Sequence, residues 1–565
     1  MRKTVRCTLA FLAVMSSVAT AGHTQSVLTH HVREEINRGE APYVERMSPT
    51  QVLQLDLVLS LRDPAGLDKF LADVYNPKSS NYHHFLTPTE FTERFGPTQE
   101  DYDRVREFAN TYNLEIVGGS RDSRIVQVKG SVAKIETAFH VSMSNYLHPT
   151  ENRVFYGPDR EPTVDLPFSL WHISGLDNFS TPHAQYSKRS DAIARNEAIA
   201  ARGGRPVEIA SHATTGSGPS SSFLGSDMRA AYYGGTALTG SGQTIGLLEY
   251  YGTDLADVTT YFKNAKQTNN VPITLLSTDG TSTSCVYTRA GGDCDDTEQT
   301  LDITQAIGMA PGLSGLVVFI GSTDTSIISS MTTHTPLAST IGCSWGWTPA
   351  DSSTLDPYFK QMAAQGQNFF AASGDSSTWS KRNEAWPADD AYVVSVGGTD
   401  LTTASAGGAW KSETAWSDSG GGISPDKIAI PSWQSASGVI TSTNKGSTTL
   451  RNGPDVSANA NFTFYVCADQ TTCTANEYGG TSFATPMWAG FIALVNQQRA
   501  ANGKSNIGFI NPYIYSENLT SATYKANFHD ITSGKSGSYS AVTGYDLVTG
   551  WGSPTASLIT TLAAQ

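Results

Sequence analysis

Two stretches of the chain carry a regular pattern of apolar and polar positions. In the first, residues 53–59 alternate between apolar and polar side chains, which predicts a strand, and residues 124–128 form a second strand-like run. Helical spacing is present in three further segments: 63–74, 98–112 and 131–139. Strands and helices interleaved in this way predict an α+β unit of the ferredoxin-like type over residues 30–180.

The second patterned stretch begins at Phe223 and alternates short apolar runs with helical segments. Strands are predicted at 244–249, 316–320, 340–345, 369–372 and 392–396. Helices are predicted at 254–265, 297–309 and 356–364. This alternation favours an α/β domain in which helices cover a parallel sheet.

A different composition separates the two stretches. Residues 181–220 are rich in Ser, Ala, Gly and Arg and lack strong periodicity, so we expect a linker there. Exposed linkers are the segments that proteases cut most readily. The sequence therefore predicts domains at 22–180 and 221–565, with a processing linker at 181–220.

The first residues have the features of a secretory signal. Arg2 and Lys3 form a basic start, residues 9–14 are mostly apolar, and Ala19-Thr20-Ala21 has the small residues of a cleavage site. The apolar run is too short to span a membrane, and no later run is long enough. We expect residues 1–21 to be a signal peptide and the protein to be secreted, extracellular and independent of membranes.

Composition narrows the possible functions. The chain has 565 residues, more than one ordinary domain holds, and only 16% of them are charged against an average of about 25%. Residues 220–565 contain just 15 of the 38 Lys and Arg residues. A weakly charged C-terminal part suits a protein that must resist self-repulsion at extreme pH. The net charge of −14 argues against a nucleic-acid partner.

Five cysteines remain once Cys7 is removed with the signal. In an oxidising compartment the short spacings favour two disulfides, Cys285–Cys294 and Cys467–Cys473. Cys343 lies in an apolar strand, so we expect it to be a buried thiol. The spacings do not match a zinc site.

One stretch near the C-terminal end carries candidate chemistry. Two glycines and a threonine precede Ser482, and an apolar run follows Pro486, so a tight turn should deliver the serine to the start of a buried helix. The free N–H groups and positive dipole of that helix end suit a developing anion, which makes Ser482 a candidate nucleophile. The alternative is that Thr481 or Ser482 only caps the helix.

A serine nucleophile needs a base, and histidine is scarce in this part of the chain. Only His334 and His529 follow the linker, and neither has the flanking residues expected of a base. Glu298 and Asp302 lie four positions apart and would share one helix face. Two carboxylates so close hold a proton to a higher pH than usual, so the pair can act as a base of tuned pKa. The alternative is an exposed acidic face, since further aspartates precede the pair.

Two other carboxylate groups have candidate roles. Asp375 follows an apolar strand end, where a neutral aspartic acid could donate a hydrogen bond to an oxyanion. The alternative for Asp375 is a loop turn or a helix N-cap. Further on, Asp530 and Asp546 together with turn carbonyls would make an all-oxygen site suited to Ca²⁺, although no EF-hand spacing is present.

These motifs, in this order, resemble those of the sedolisins, or serine-carboxyl peptidases. The resemblance covers nearly all of residues 45–560. Gly480 to Pro486 matches the family's serine motif, Glu298 and Asp302 match its Glu-x-x-x-Asp dyad, and Asp375 matches its oxyanion aspartate. Residues 82–88 and 94–97 resemble the pro-kumamolisin activation domain.

The resemblance implies a subtilisin-like catalytic domain behind a propeptide that is removed in acid. It implies one structural Ca²⁺ ion near the C-terminus, held by Asp530, Asp546 and the carbonyls of three residues: Ile531, Val542 and Gly544. Val542 stands where relatives often have glycine, which a carbonyl ligand tolerates. Glu249 and Trp345 match positions that extend the carboxylate network in some members.

The expected function is that of a secreted, acid-acting, monomeric endopeptidase that hydrolyses polypeptides. Ser482, Glu298 and Asp302 would form its triad, and its own propeptide would act as intramolecular inhibitor and chaperone. A subtilisin-type His-Asp-Ser protease is the second enzyme hypothesis, and the scarcity of histidine argues against it. An inactive secreted binding protein with the peptidase fold is the non-enzyme alternative, favoured by the loss of any of the four catalytic candidates.

Overall fold

The structure is a computed structural model of the chain. It describes residues 26–27, 31–203, 215–286, 294–381, 385–436, 438–470 and 473–565. The predicted signal peptide at 1–21 and part of the predicted linker lie outside these ranges. None of the helices within them combines the length and the apolar character that a membrane span requires.

The N-terminal unit is built on a 4-stranded antiparallel sheet. Its strands, in spatial order, are Glu115–Ser120, Ile125–Ser131, Val52–Val58 and His172–Ser174. The main helices are Pro64–Val74, Pro88–Phe95, Gln99–Thr111 and Val132–Phe139. Alternate apolar residues of the central strands pack under two of these helices, as in Leu55 and Val128 against Phe108 and Ile135. This order of strands is the predicted ferredoxin-like arrangement.

The C-terminal unit contains an 8-stranded sheet that is parallel except at one edge. Its path runs through Ile273–Ser277, Gly315–Ile320, Thr244–Glu249, Thr340–Cys343, Asn368–Ala372, Val394–Thr403 and the antiparallel Trp410–Ala415. The eighth strand, Val456–Asn459, pairs in parallel with Val394–Thr403. Helices on this unit include Gly225–Tyr232, Leu255–Asn264, Asp324–Met331, Ser352–Ala364, Asn511–Glu517, Ser521–Asn527 and Ala556–Ala564. The predicted α/β class with a parallel sheet is confirmed.

Two helices at the centre of this unit carry the candidate chemistry. We call Thr297–Met309 the carboxylate helix and Thr481–Ala501 the serine helix. Every residue of the carboxylate helix is buried. Gly490 lets the two helices approach closely, because a Cβ there would lie 2.8 Å from the Cβ of Met309. A close and buried crossing of this kind leaves little freedom in the relative positions of the side chains at the two N-termini.

The main departures from the expected elements lie in and beside the linker. The strand predicted at 340–345 ends at Cys343, and Trp345–Gly346 pairs instead with His183–Ala184 of the linker. The linker also forms a strand at Ser187–Lys188 and a helix at Arg189–Ala201. That helix lacks an apolar stripe, since Ala192 is its only buried residue, but it is rich in alanine, which has the highest helix propensity.

The cysteines are arranged as predicted. Disulfides join Cys285 to Cys294 and Cys467 to Cys473. Cys343 is a buried free thiol whose pKa is raised by burial. A thiol in that state is less reactive than an exposed one.

The two units pack against each other through helix Pro64–Val74 and helix Ser352–Ala364. Tyr75 donates its hydroxyl to the carbonyl of Ala363 at 2.7 Å. The Lys360 ammonium lies 3.0 Å from the carboxylate of Asp68. These hydrogen-bond and ionic contacts join the N-terminal unit to the C-terminal unit.

Candidate active site

Ser482 lies at the N-terminus of the serine helix and is fully buried. Gly480 is the N-cap residue, with a φ of +144° that disfavours side chains, and the helix begins at Thr481. The alternative in which Thr481 or Ser482 merely caps the helix is therefore wrong. The Ser482 side chain is available for other contacts.

The hydroxyl of Ser482 donates a hydrogen bond to a carboxylate. Its Oγ lies 3.0 Å from Oε2 of Glu298, in the first turn of the carboxylate helix. The two residues are 184 positions apart, and the helix crossing brings them together. Glu298 is 2% exposed and Asp302 is fully buried, so the alternative of an exposed acidic face is wrong.

Glu298 belongs to a cluster of three buried carboxyl groups. Asp302 lies between Glu298 and Glu249 and forms side-chain hydrogen bonds with both. On its other side, Asp302 accepts a hydrogen bond from the Ser344 hydroxyl at 2.8 Å, and Glu249 accepts one from Trp345 Nε1 at 2.9 Å. One oxygen of each carboxyl group has no donor among the described residues. Carboxyl groups that face one another can bond only when the cluster retains protons.

Burial and mutual repulsion keep those protons in place. Burial raises the pKa of Glu298 well above its usual range, and the charges of Asp302 and Glu249 raise it further. Burial also raises the pKa of Glu249, and it raises that of Asp302 to about 7. The cluster can therefore take up and return a proton while one or more of its members remain neutral.

Asp375 lies at the N-terminus of the serine helix, next to Gly480 and Thr481. It follows strand Asn368–Ala372, and its Oδ1 accepts hydrogen bonds from the N–H of Thr481 at 2.8 Å and from its hydroxyl at 2.9 Å. Its Oδ2 is buried and has no donor among the described residues. Burial raises the pKa of Asp375 well above its usual range, so Oδ2 carries a proton in acid. The aspartic acid then has one free donor, which points past Gly480.

A segment of the linker occupies the cleft between these groups. The N–H of Ser482 donates to the carbonyl oxygen of Gln185 at 3.1 Å, and the N–H of Gln185 donates to the carbonyl of Ser344 at 2.8 Å. A cavity of about 310 Å³ runs beside the segment, bounded by residues of the loop that carries Asp375. A peptide carbonyl thus lies at the N-terminus of the serine helix.

Neither histidine of this unit is part of the cluster. His334 Nδ1 contacts the carbonyl of Pro336 at 2.9 Å. His529 stacks on Trp410 with the ring centres 4.0 Å apart, and burial lowers its pKa to about 4. Their contacts leave Glu298 as the group that accepts the Ser482 hydroxyl.

The residues expected to hold calcium lie together near the C-terminus. Asp546 is fully buried and accepts hydrogen bonds from the N–H groups of Val542, Val548 and Thr549. Asp530 accepts one from the N–H of Gly544 at 3.2 Å. Within the described ranges, no group of three or more His, Cys, Asp or Glu side chains could hold a metal.

The donor set of this segment nevertheless suits a hard cation. Burial raises the pKa of Asp546 to about 7, which reflects a negative charge that the protein alone does not neutralise. No donor in the described part of the chain reaches the carbonyl oxygens of Ile531, Val542 or Gly544. Two carboxylates and three free carbonyls are the oxygen ligands that Ca²⁺ prefers, so the residues fit the ion.

Two family models match parts of the chain. The model of the subtilase family matches residues 280–545, and the model of the pro-kumamolisin activation domain matches residues 40–179. The chain therefore resembles subtilase-type serine peptidases that carry an activation domain.

Individual known proteins are similar to this chain over most of their own length. Kumamolisin of Bacillus sp. (strain MN-32) is 29% identical over 94% of this chain and 94% of its own. Sedolisin of Pseudomonas sp. (strain 101) is 26% identical over 91% of this chain and 88% of its own. A solved structure of Pseudomonas sedolisin, complexed with two molecules of pseudo-iodotyrostatin, covers 62% of this chain and 98% of its own at 27% identity and a TM-score of 0.49. The chain is thus similar to sedolisins over most of its length, and these relatives indicate a serine-type peptidase made as a zymogen.

Sequence reasoning missed two parts of the site. Thr481 holds Asp375 through two hydrogen bonds, and Ser344 holds both Asp302 and the linker. Neither residue has a composition signal of its own, because serine and threonine are common in this half of the chain. The available clues were the position of Thr481 beside Ser482 and the position of Ser344 directly after the apolar strand that ends at Cys343.

Proposed function

We propose that this protein is a secreted serine-carboxyl endopeptidase that acts in acid and processes itself. The observation that carries the proposal is the 3.0 Å hydrogen bond from Ser482 Oγ to Glu298 Oε2. Around that bond, a second carboxyl group orients the base and a protonated aspartic acid faces the place where an oxyanion would form. The first role belongs to Asp302 and the second to Asp375.

In the first step, Ser482 Oγ attacks the carbonyl carbon of the scissile bond while its proton moves to Glu298 Oε2. Asp302 holds Glu298 in place and shares the proton that the cluster retains. The oxyanion is stabilised by the N–H of Ser482 and by the acid proton of Asp375. Glu298 then returns its proton to the leaving amine, the C–N bond breaks and an acyl-enzyme remains.

Water completes the reaction by the same route. Glu298 takes a proton from the water as its oxygen attacks the acyl carbon, and the proton passes back to Ser482 Oγ as the ester bond breaks. The products are a free carboxylic acid and a free amine, and the enzyme is regenerated. The sequence of steps needs a protonated Asp375, which is the physical reason for activity in acid.

Endopeptidase activity is preferred to release of short N-terminal peptides. Tripeptidyl-peptidase sed5 of Aspergillus fumigatus is also a relative, at 25% identity over 83% of this chain and 86% of its own. In the present structure the linker continues on both sides of Ser482, as strand His183–Ala184 and as strand Ser187–Lys188. A cleft that holds chain on both sides of the serine suits cuts within a polypeptide.

The two alternative functions find less support. A His-Asp-Ser protease would need a histidine at Ser482, and His334 and His529 have their contacts elsewhere. An inactive binding protein would not need three separate elements to hold these four residues close together: Ser482, Glu298, Asp302 and Asp375.

The roles can be tested by substitution. Ser482→Ala should lower kcat by about 10⁴-fold or more, because no other nucleophile is held at this place. Glu298→Ala should be comparably inactive, and Asp375→Ala should lose about 10²–10³-fold as an oxyanion donor does. Casein cleavage and self-processing in acid are the measurements.

A matched control is Glu517→Ala, since that carboxylate contacts Gln565 and none of these groups. It should retain full activity. Full activity of Glu298→Ala would contradict the proposed base.

We also propose that acid weakens the docking of the N-terminal unit through one histidine at its interface. His83 of this unit is buried, with Nδ1 2.8 Å from the Arg499 guanidinium and Nε2 2.5 Å from the Tyr513 hydroxyl. Its ring stacks on Tyr82, and Lys504 also lies near enough to act on its charge. Burial, together with the positive charges of Arg499 and Lys504, lowers the pKa of His83 from 6.5 to about 3.

The sign of the effect follows from that lowered pKa. Above pH 6.5 the histidine is neutral in both states, and its contribution to docking is fully present. As the pH falls from 6.5 towards 3, a released His83 binds a proton that the docked one cannot, so docking weakens. The expected loss at pH 4 is on the order of 1–3 kcal/mol.

His83→Gln should remove this dependence, because glutamine can replace both hydrogen bonds and does not titrate. In a Ser482→Ala background, which keeps the chain intact, denaturant unfolding at pH 7 and pH 4 gives the loss of stability. We expect a smaller loss in His83→Gln than in its parent, and an unchanged loss in the exposed neighbour variant His84→Gln. Equal losses in all three proteins would contradict the role of His83.

We also propose that Asp530, Asp546 and the carbonyls of Ile531, Val542 and Gly544 hold one structural Ca²⁺ ion. The ion would neutralise the buried charge of Asp546 and fix the C-terminal segment. Added Ca²⁺ should therefore raise the melting temperature. At a Ca²⁺ concentration of about a hundred times the Kd, the free energy of unfolding should rise by about 2.7 kcal/mol.

The comparison of Asp546→Asn with the parent protein tests the ion directly. The variant should lose the calcium-dependent shift in melting temperature, whatever its own stability, and EDTA should act on the parent alone. An equal shift in both proteins would place the ion elsewhere.

The remaining expectations complete the proposal. Residues 1–21 would direct export, which the two disulfides support because such bonds persist in oxidising compartments. Residues 22–180 would form the propeptide and 221–565 the mature peptidase, acting as a monomer on polypeptides. The linker at 181–220 would be the place of processing.

A further inference from the structure

The linker crosses the candidate active site as an extended strand held on both sides of Ser482. On one side, His183 and Ala184 pair antiparallel with Gly346 and Trp345. On the other side, Ser187 and Lys188 pair antiparallel with Gly479 and Tyr478. Main-chain pairing of this kind is the way an extended peptide is held irrespective of its side chains.

Between the two paired segments, one peptide group lies against the reactive groups. The N–H of Gln185 donates to Ser344, and its carbonyl oxygen accepts the N–H of Ser482 at 3.1 Å. The same oxygen and Asp375 Oδ2 both lie next to Gly480. A Cβ built on Gly480 would be 2.4 Å from Gln185 O, 2.5 Å from Asp375 Oδ2 and 2.6 Å from the Cα of Tyr186. The absence of a side chain at position 480 is what allows the peptide group and the acid to meet.

We infer that the Gln185–Tyr186 peptide bond is the first bond the enzyme cuts in its own chain. The inference rests on the proposed function and adds the bond and its register. In this step Ser482 Oγ bonds to the carbonyl carbon of Gln185, and the C–N bond to Tyr186 breaks. The serine proton passes through Glu298 to the nitrogen of Tyr186. Water then releases Gln185 as a free carboxylate and returns a proton to Ser482.

Side chains on both sides of the bond fix this register. Gln185 is buried, and the Tyr186 hydroxyl donates to Asp295 at 3.2 Å. The Lys188 ammonium lies 5.5 Å from the ring centre of Tyr478. A shift of one residue would move every side chain to the opposite face of the strand and break these contacts together.

The helix that follows adds a second anchor. In helix Arg189–Ala201, Ala192 packs in a small apolar cluster with Trp416, Ala460 and Phe462. Arg195 of the same helix lies 3.6 Å from Asp418. The linker is thus held by its own catalytic unit on both sides of the bond, which makes the first cut a reaction within one molecule.

The first test maps the cut. The purified full chain is acidified in H₂¹⁸O, and samples from the first turnover are analysed by mass spectrometry. We expect a fragment that ends at Gln185 with ¹⁸O in its new carboxyl group, and a partner that begins at Tyr186. A first product with any other ends would overturn the inference, and no product should form with Ser482→Ala.

A pair of proline variants tests the bond independently. Tyr186→Pro removes the N–H of the leaving amine and should slow the cut at this bond by about 100-fold or more, since proline fixes φ and adds bulk at the reacting nitrogen. Ser190→Pro is the matched control. It changes an exposed residue in the first turn of the helix, where proline is tolerated, and should be cut at the normal rate. Equal rates in both variants would contradict the inference.

Dilution tests whether the bond is cut within one molecule. The rate constant of the first cut should stay the same over about 100-fold dilution, because the linker is already bound in its own cleft. A rate that falls in proportion to concentration would overturn this part. Casein cleavage in the same samples separates failure of this inference from failure of the proposed function. If casein is cleaved but the first cut lies elsewhere, only the Gln185–Tyr186 bond is rejected. If casein is not cleaved at any pH, the proposed function is rejected.

Discussion

The structure depends on one buried hydrogen bond, from the hydroxyl of Ser482 to the carboxylate of Glu298. Serine needs a base, and a carboxylate is a weak one unless its surroundings raise its pKa. Here burial and two neighbouring carboxyl groups raise it. Such a cluster can exist only if the elements that carry it are rigid, because like charges at close range would otherwise move apart. The fully buried carboxylate helix and its close crossing with the serine helix supply that rigidity.

The same principle explains the rest of the site. In the proposed mechanism Asp375 donates a hydrogen bond only when neutral, and burial raises its pKa well above its usual range. At the interface between the units, burial acts on His83 in the opposite direction, since it disfavours the charged form of a histidine as well as that of an acid. In the function we propose, one physical effect, the cost of charge away from water, makes both the chemistry and the docking of the N-terminal unit depend on acidity.

Much of this arrangement is predictable from the sequence because it follows local rules. Glu298 and Asp302 share a helix face by their spacing, Asp375 follows an apolar strand, and short apolar runs give most of the parallel sheet. What local rules miss depends on partners distant in the chain. The strand predicted at 340–345 ends at Cys343 because Trp345 pairs with the linker, and no pattern within 340–345 shows this. Helix Arg189–Ala201 has no apolar stripe, so its place is set by contacts with distant residues, Ala192 with Trp416 and Arg195 with Asp418. The meeting of Ser482 with Glu298, 184 positions away, likewise required the fold.

The most direct test of the account is the dependence of kcat/KM on pH for the matured enzyme with a peptide substrate. The profile reports the essential acid and base of the free enzyme. With Glu298 as base and Asp375 as a protonated donor, kcat/KM should be highest in acid and fall towards neutral pH as Asp375 loses its proton. A value that rises through pH 7 to an optimum in mild alkali would indicate a histidine base and contradict the account.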